Sequence, residues 1–279
     1  MVTQYEGKGL GVIAARDIKM GEAIFTDNLA LKVPATADST VIIQSLKEQI
    51  ENLSSEAKIH LDKLQNYNVK LSEASGIDGV KELGLFLNHA KYNDVGGWMV
   101  IFLNAALINH SCSPNANVEQ IQIAGDPWCE VRAIRGISKG EEVTTCYTSM
   151  LGYNSQERRA ELREHLFCDC KCSVCTGIIP NQEDLIKELI DSHGRFALFH
   201  ASEEASFEAE AVQIAGKIVD LTKELYMGPV EDKVTLLKPL LASANKVHRE
   251  KAQEALKKLA EDTGIGSLMR FCEESELMK

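Results

Sequence analysis

Asn109-His110-Ser111-Cys112-Ser113-Pro114-Asn115 decides how this chain is read, because seven residues hold hydrogen-bonding side chains, a thiol and a proline-stiffened turn. The apolar run Val100 to Ile108 precedes it, and the alternating segment Asn117 to Ile123, which reads as a strand, follows. A polar knot therefore lies at a junction of buried elements. Taken alone, a turn carrying one buried free cysteine accounts for it equally well, since free cysteine is among the most buried residue types.

Length and charge limit what the knot belongs to. A chain of 279 residues can bury a sizeable core and is read as two unequal domains. Hydrophobic residues make up 44% and charged residues 25%, and no apolar run approaches a bilayer-spanning length. The opening Met1 to Glu6 has neither a basic nor an apolar leader region, so a reducing, intracellular setting is expected, nuclear and/or cytoplasmic, with no membrane. The formal charge of -11 argues against direct nucleic-acid binding, which needs a basic surface, and suits a basic partner. Eight cysteines in such a compartment point to metal or catalysis before disulfides.

Along the chain, Gly7-Lys8-Gly9-Leu10-Gly11-Val12 opens a glycine-rich turn, and two short strands are expected around a turn at Lys19 to Gly21. The glycine spacing is neither a P-loop nor a dinucleotide fingerprint. After Pro34, apolar residues recur at helical spacing from Ser39 to about Tyr67, and a second helix is expected from Val80 to about Lys91. Strands at Asn117 to Ile123, Cys129 to Ile134 and Glu142 to Cys146 follow the knot. Asn154 with Glu157 forms a capping box that starts a charged helix through Leu166.

That helix delivers Cys168-Asp169-Cys170-Lys171-Cys172-Ser173-Val174-Cys175. Cys170, Cys172 and Cys175 give a C-x-C-x-x-C run whose spacing turns three thiolates toward one point, and a structural zinc site wants a fourth ligand. Cys112 is the best candidate; Cys129, Cys146, Cys272, Cys168 or a histidine remain open. A second place for chemistry is Gly140 to Thr148, where a strand ending in Tyr147 before a turn can present a phenol to a cleft.

In this order, the opening Gly7-Lys8-Gly9-Leu10, the knot, the Gly140 to Tyr147 stretch and the cysteine run resemble a SET-domain protein methyltransferase of the split kind related to the SET-and-MYND family. The resemblance covers roughly residues 5 to 34 and 83 to 177. It implies an α+β chain: a β-rich SET fold with a pseudoknot, a helical insertion, a post-SET zinc site and an all-helical C-terminal domain. The corresponding divisions are 1–34 and 83–166 for the two SET parts, 35–82 for the insertion, 167–179 for the zinc segment and 180–279 for the helical domain.

The implied function is S-adenosylmethionine-dependent methyl transfer, with S-adenosylhomocysteine as product, to a lysine of a basic protein or peptide. The alternative is a SET fold that binds the cofactor and acts on a small molecule, or serves as a non-methylating binding module. By resemblance, backbone at Lys8, Gly9 and Leu10 lines the methionine and ribose side of the cofactor. Asn109 and His110 bind its amino-acid and adenine parts, and Asn88 is a weaker match to a further cofactor asparagine. Tyr147 is the active-site tyrosine, and Cys112 joins Cys170, Cys172 and Cys175 around Zn2+.

The chain departs from the family in two ways. The insertion from Ala35 to about Val80 holds no cysteine, so the MYND zinc module is missing there. Relatives place an adenine-stacking aromatic two residues before the first post-SET cysteine and a channel tyrosine two before that; here those positions are Cys168 and Leu166. Sliding by one residue restores Phe167 as the stacking aromatic and puts His165 where the tyrosine would be. The second channel tyrosine is absent either way, with Tyr153 a substitute from the preceding loop. Beyond residue 180 the chain carries 13 basic against 19 acidic residues, a balance of -6, and helical spacing throughout. Helices are expected at Glu183 to His200, Glu203 to Tyr226, Glu231 to Ser243, Lys246 to Asp262 and Ser267 to Glu276.

Overall fold

A computed structural model describes residues 1–5, 9–64, 80–93, 96–122, 125–147, 153–166, 169–178, 182–200 and 246–266, with isolated positions between 210 and 237 and between 268 and 272. The expected helices over 203–226, 231–243 and 267–276 fall mostly outside the described residues. Among the described residues ten short strands form three small sheets, and helices flank them, so the fold is mixed helix and sheet.

The first sheet runs β1 (Val2–Tyr5), β2 (Gly9–Ile13), β10 (Glu142–Thr145), β7 (Asn109–His110). β1 and β2 pair antiparallel with Tyr5 opposite Gly9, whose positive φ of 79° suits a residue without Cβ. The second sheet is β3 (Ala23–Asn28), β9 (Trp128–Ala133), β8 (Ala116–Ile121); the third is β4 (Leu31–Pro34), β6 (Trp98–Ile101), β5 (Lys91–Asn93). The two strands expected around Lys19 to Gly21 therefore exist, but β2 pairs with β1 and β10 while β3 pairs with β9. Between them Ile18 makes only an isolated bridge to Ile137.

The long helix expected from Ser39 divides into α1 (Ser39–Glu51) and α2 (Ser55–Lys63). Asn52 closes the first, and Ser54 starts the second by accepting the Ala57 N–H at 3.1 Å, so two cap-forming residues outweigh the apolar period. Leu46 and Leu61 are buried with Leu31 and Val33 of β4. Gln49 of α1 also completes the free edge of β4: its Oε1 accepts the Lys32 N–H at 2.9 Å and its Nε2 donates to the Lys32 carbonyl at 2.7 Å. An edge strand's unpaired backbone is thereby covered from within the insertion.

α3 (Val80–His89) ends before Lys91, which starts β5 rather than finishing the helix as expected. Past β6, a 3-10 turn at Ala105–Leu107 is held by Asp27, whose carboxylate accepts the Asn104 and Ala105 N–H groups at 2.7 and 3.1 Å. α4 (Ser155–Leu166) begins with the expected capping box: Glu157 N–H donates to Asn154 Oδ1 and Asn154 N–H donates to Glu157 Oε2, both at 2.9 Å. α5 (Gln182–His200) and α6 (Lys246–Thr263) lie within a residue of the expected helices. No helix among the described residues is long and apolar enough to cross a membrane.

Candidate functional site

The knot is strapped along β10. β7 and β10 run parallel, with Asn109 beside Thr144 and His110 beside Thr145. A parallel pair needs a long crossover, and the chain supplies it through β8 and β9. The Ser111 N–H then donates to the Thr145 carbonyl at 2.9 Å. Asn115 closes the strap: its Oδ1 accepts the Thr144 N–H at 2.8 Å, and its Nδ2 donates to the Glu142 carbonyl at 2.7 Å and to Glu141 Oε1 at 3.0 Å. Asn115 is only 1% exposed, so these bonds are made without competition from water.

Tyr147 emerges just past β10. Its hydroxyl donates to the Ile108 carbonyl at 2.8 Å, and its backbone N–H donates to His110 Nδ1 at 3.1 Å. The ring is partly exposed, tilted against the His110 ring at a centroid separation of 5.2 Å, with Lys91 Nζ 5.9 Å from its centre. A phenol fixed to a backbone carbonyl and open to solvent on one side can orient an incoming amine.

Asn109 points to the other face of β7. Its Nδ2 donates to Glu142 Oε1 at 2.8 Å, above Gly11, where a Cβ would meet that nitrogen at 2.6 Å and the Tyr5 ring at 2.7 Å. The glycine at position 11 thus makes room for Asn109 and Tyr5. Burial, followed by the charge of Glu142, pushes the Tyr5 phenol up. Oδ1 of the half-buried Asn109 accepts from no described residue, so a carboxylate and an amide acceptor stand together. Such a pair fits the ammonium group of a ligand.

Cys112, Cys170, Cys172 and Cys175 bring their Sγ atoms within 4.8 Å of one another. Cys112 Sγ lies 3.5 Å from Cys175 Sγ and 3.9 Å from Cys170 Sγ. Zinc–sulfur bonds of about 2.3 Å at tetrahedral angles set sulfurs roughly 3.8 Å apart, so the four thiols fit Zn2+ in number, chemistry and spacing. Cys129, Cys146 and Cys272 lie outside this group. Hydrogen bonding to Cys112 holds Cys170 well below the usual thiol range and brings Cys172 to about 5, while the same contacts push Cys112 up. Arg159, paired with Asp169, stands near the cluster as a cation.

The structure therefore brings together Asn109, His110, Tyr147 and the four cysteines, with Gly9 and Leu10 on β2, one strand from β7 across β10. Asn88 lies at the end of α3, and its Nδ2 is buried. Lys8, Phe167 and Cys168 lie outside the described residues, as do the side chains of His165 and Leu166. Tyr153 is described and is 41% exposed. The sequence does not mark Asn115 or Lys91 as site residues: the asparagine's position at the end of the knot is its only signal, and Lys91 reads as a helix end.

A SET domain profile matches residues 9–148, half of the chain. The chain belongs to the SET domain family. This SET-domain chain is 33% identical over 110 residues to histone-lysine N-methyltransferase SMYD3 of Mus musculus, covering 37% of this chain and 24% of the relative. It is 42% identical over 76 residues to N-lysine methyltransferase SMYD2 of Homo sapiens, covering 27% and 16%. With N-lysine methyltransferase SMYD2-B of Danio rerio the figures are 41% over 78 residues, 28% and 17%. The matched regions span about a quarter or less of those relatives.

Proposed function

We propose that this chain is an S-adenosylmethionine-dependent methyltransferase acting on a lysine of a protein or peptide. The observation that carries the reading is the Tyr147 hydroxyl held 2.8 Å from the Ile108 carbonyl, immediately before the Asn109–His110 strand. When bound, the cofactor supplies a sulfonium methyl group already activated for displacement. The chain's own task is to bind, align and desolvate. Asn109 Oδ1 and the Glu142 carboxylate would hold the cofactor's ammonium, with Asn88 as a further contact, and by resemblance the backbone at Lys8, Gly9 and Leu10 would serve its methionine and ribose side. The His110 backbone would take the adenine, with Phe167 as the stacking aromatic by resemblance, and Tyr147 would orient the amine for transfer.

A lysine amine attacks only when neutral, and its ordinary pKa is about 10.4. Lys91 Nζ, 5.9 Å from the centre of the Tyr147 ring, places a cation beside the approach. A like charge disfavours a second ammonium and so promotes the neutral amine. The net charge of -11 favours encounter with a basic polypeptide. Zn2+ held by Cys112, Cys170, Cys172 and Cys175 would tie the post-SET segment to the knot. The same Lys91 cation motivates the second reading, a non-cationic small-molecule substrate or a cofactor-binding module without transfer.

The deciding experiment offers labelled methyl donor to the full chain with protein mixtures and separately with small-molecule extracts. Incorporation into protein, falling about 100-fold or more in Tyr147→Phe with cofactor binding retained by calorimetry, is the expected result. Cofactor binding with no transfer to protein overturns lysine methylation.

A further inference from the structure

His110 is 6% exposed, and both of its ring nitrogens are engaged. Nδ1 lies 3.1 Å from the Tyr147 nitrogen, a backbone N–H that can only donate, so Nδ1 is the acceptor and carries no proton. The neutral ring then bears its proton on Nε2. That nitrogen lies 3.4 Å from Cys112 Sγ, within hydrogen-bonding range of sulfur. One imidazole thus spans from the cysteine cluster to the backbone of the residue whose phenol faces the substrate, with its ring also packed on the Tyr147 ring at 5.2 Å. With both nitrogens committed, contact between His110 and a cofactor falls to its main chain.

We propose that His110 is a positioning residue: as the Nε2–H tautomer it donates to the metal-bound Cys112 thiolate and accepts the Tyr147 N–H, so that loading of the cysteine site sets the place of Tyr147. A ring N–H directed at a metal-bound thiolate disperses its negative charge and fixes the tautomer, and this outer contact in turn orients the ligand. The far side of the same ring then holds the start of the segment after β10. The inference rests on the reading of Tyr147 as the residue that orients the substrate amine.

Two substitutions divide the strut. In His110→Asn the amide oxygen takes the place of Nδ1 and the donor to sulfur is lost; in His110→Gln the amide nitrogen takes the place of Nε2 and the acceptor for Tyr147 is lost. In the zinc-loaded full chain, release of zinc to a chromogenic chelator should speed up about tenfold in His110→Asn and stay near the wild-type rate in His110→Gln. Hydrogen exchange at the Tyr147 amide should accelerate in His110→Gln and stay slow in His110→Asn. kcat should fall further in His110→Gln than in His110→Asn. Nitrogen-15 spectra of the wild-type chain should show a neutral His110 protonated at Nε2. A ring protonated at Nδ1, or two variants impaired equally in zinc release and in Tyr147 exchange, would overturn the proposal. The zinc, exchange and tautomer readouts need no methyl transfer, so failure of the lysine reading leaves them decisive.

Discussion

Asn109 and His110 are neighbours in one motif, and the sequence groups them as two contacts to one cofactor. On a strand, successive side chains leave opposite faces. Asn109 goes to Glu142 over Gly11, and His110 goes to Cys112 and Tyr147. The residue types could be read from sequence; the division of labour could not, because it depends on a two-residue strand whose pairing is set by a distant segment. Lys91 was hidden for a similar reason, since its contact with Tyr147 is made only when β5 pairs with β6. On the proposed reading, a cation beside the Tyr147 ring lowers the pKa of an amine brought to that ring. Removing it raises that pKa, so less amine is neutral at a given pH. Lys91→Met should therefore move the pH–rate profile of methyl transfer about one unit toward alkaline values. A profile superimposable on wild type would show that Lys91 has no part in deprotonation.

At the scale of elements, local chemistry is legible in the sequence where it is self-contained. The capping box at Asn154 and Glu157 forms as the spacing requires, whereas the apolar period from Ser39 to Tyr67 runs on through the break at Asn52 to Ser54 and gives no sign of it. The strap of the knot was not readable, because Asn115 works by replacing backbone partners for β10. Asn115→Ala leaves the buried Thr144 N–H without its acceptor and the Glu142 carbonyl without its donor. The expected cost is about 2–4 kcal/mol in urea unfolding, with the slope unchanged. The same strap makes an acid-sensitive point at Glu141. Burial alone would raise the Glu141 pKa, but the Ser138 N–H, Asn115 and Arg135 outweigh it and hold the carboxyl below its usual value of 4.5. A group depressed in the folded state contributes stability above its unfolded pKa and loses it as pH falls through the folded one. Wild type should therefore lose stability below about pH 4.5 more steeply than Glu141→Gln, and parallel curves for the two would refute the role.

Across the whole molecule the side chains gather into two main cores. One holds β2, β4, β6, β8 and β9 residues together with Leu46 and Leu61 of the insertion. The other holds Cys112 and Cys170 with Leu162 of α4, Val174, Leu189 of α5, and Leu256 and Ala260 of α6. The cysteine cluster is therefore part of the core that joins the knot to the C-terminal helices. The sequence pointed to both parts, a metal site and a helical region, but apolar periodicity cannot say which core a helix completes. Sulfur ligands bind metal as thiolates, so a metal that fits this cluster contributes its binding energy to that core's folding. Stripping it with a strong chelator under reducing conditions should lower Tm by about 10 °C or more. Hydrogen exchange should accelerate first in α4 and α5, while β3, β8 and β9 stay protected until the global transition. Equal acceleration in both cores would mean that the metal supports the entire fold, and no change in either would mean that the four thiols hold no structural metal.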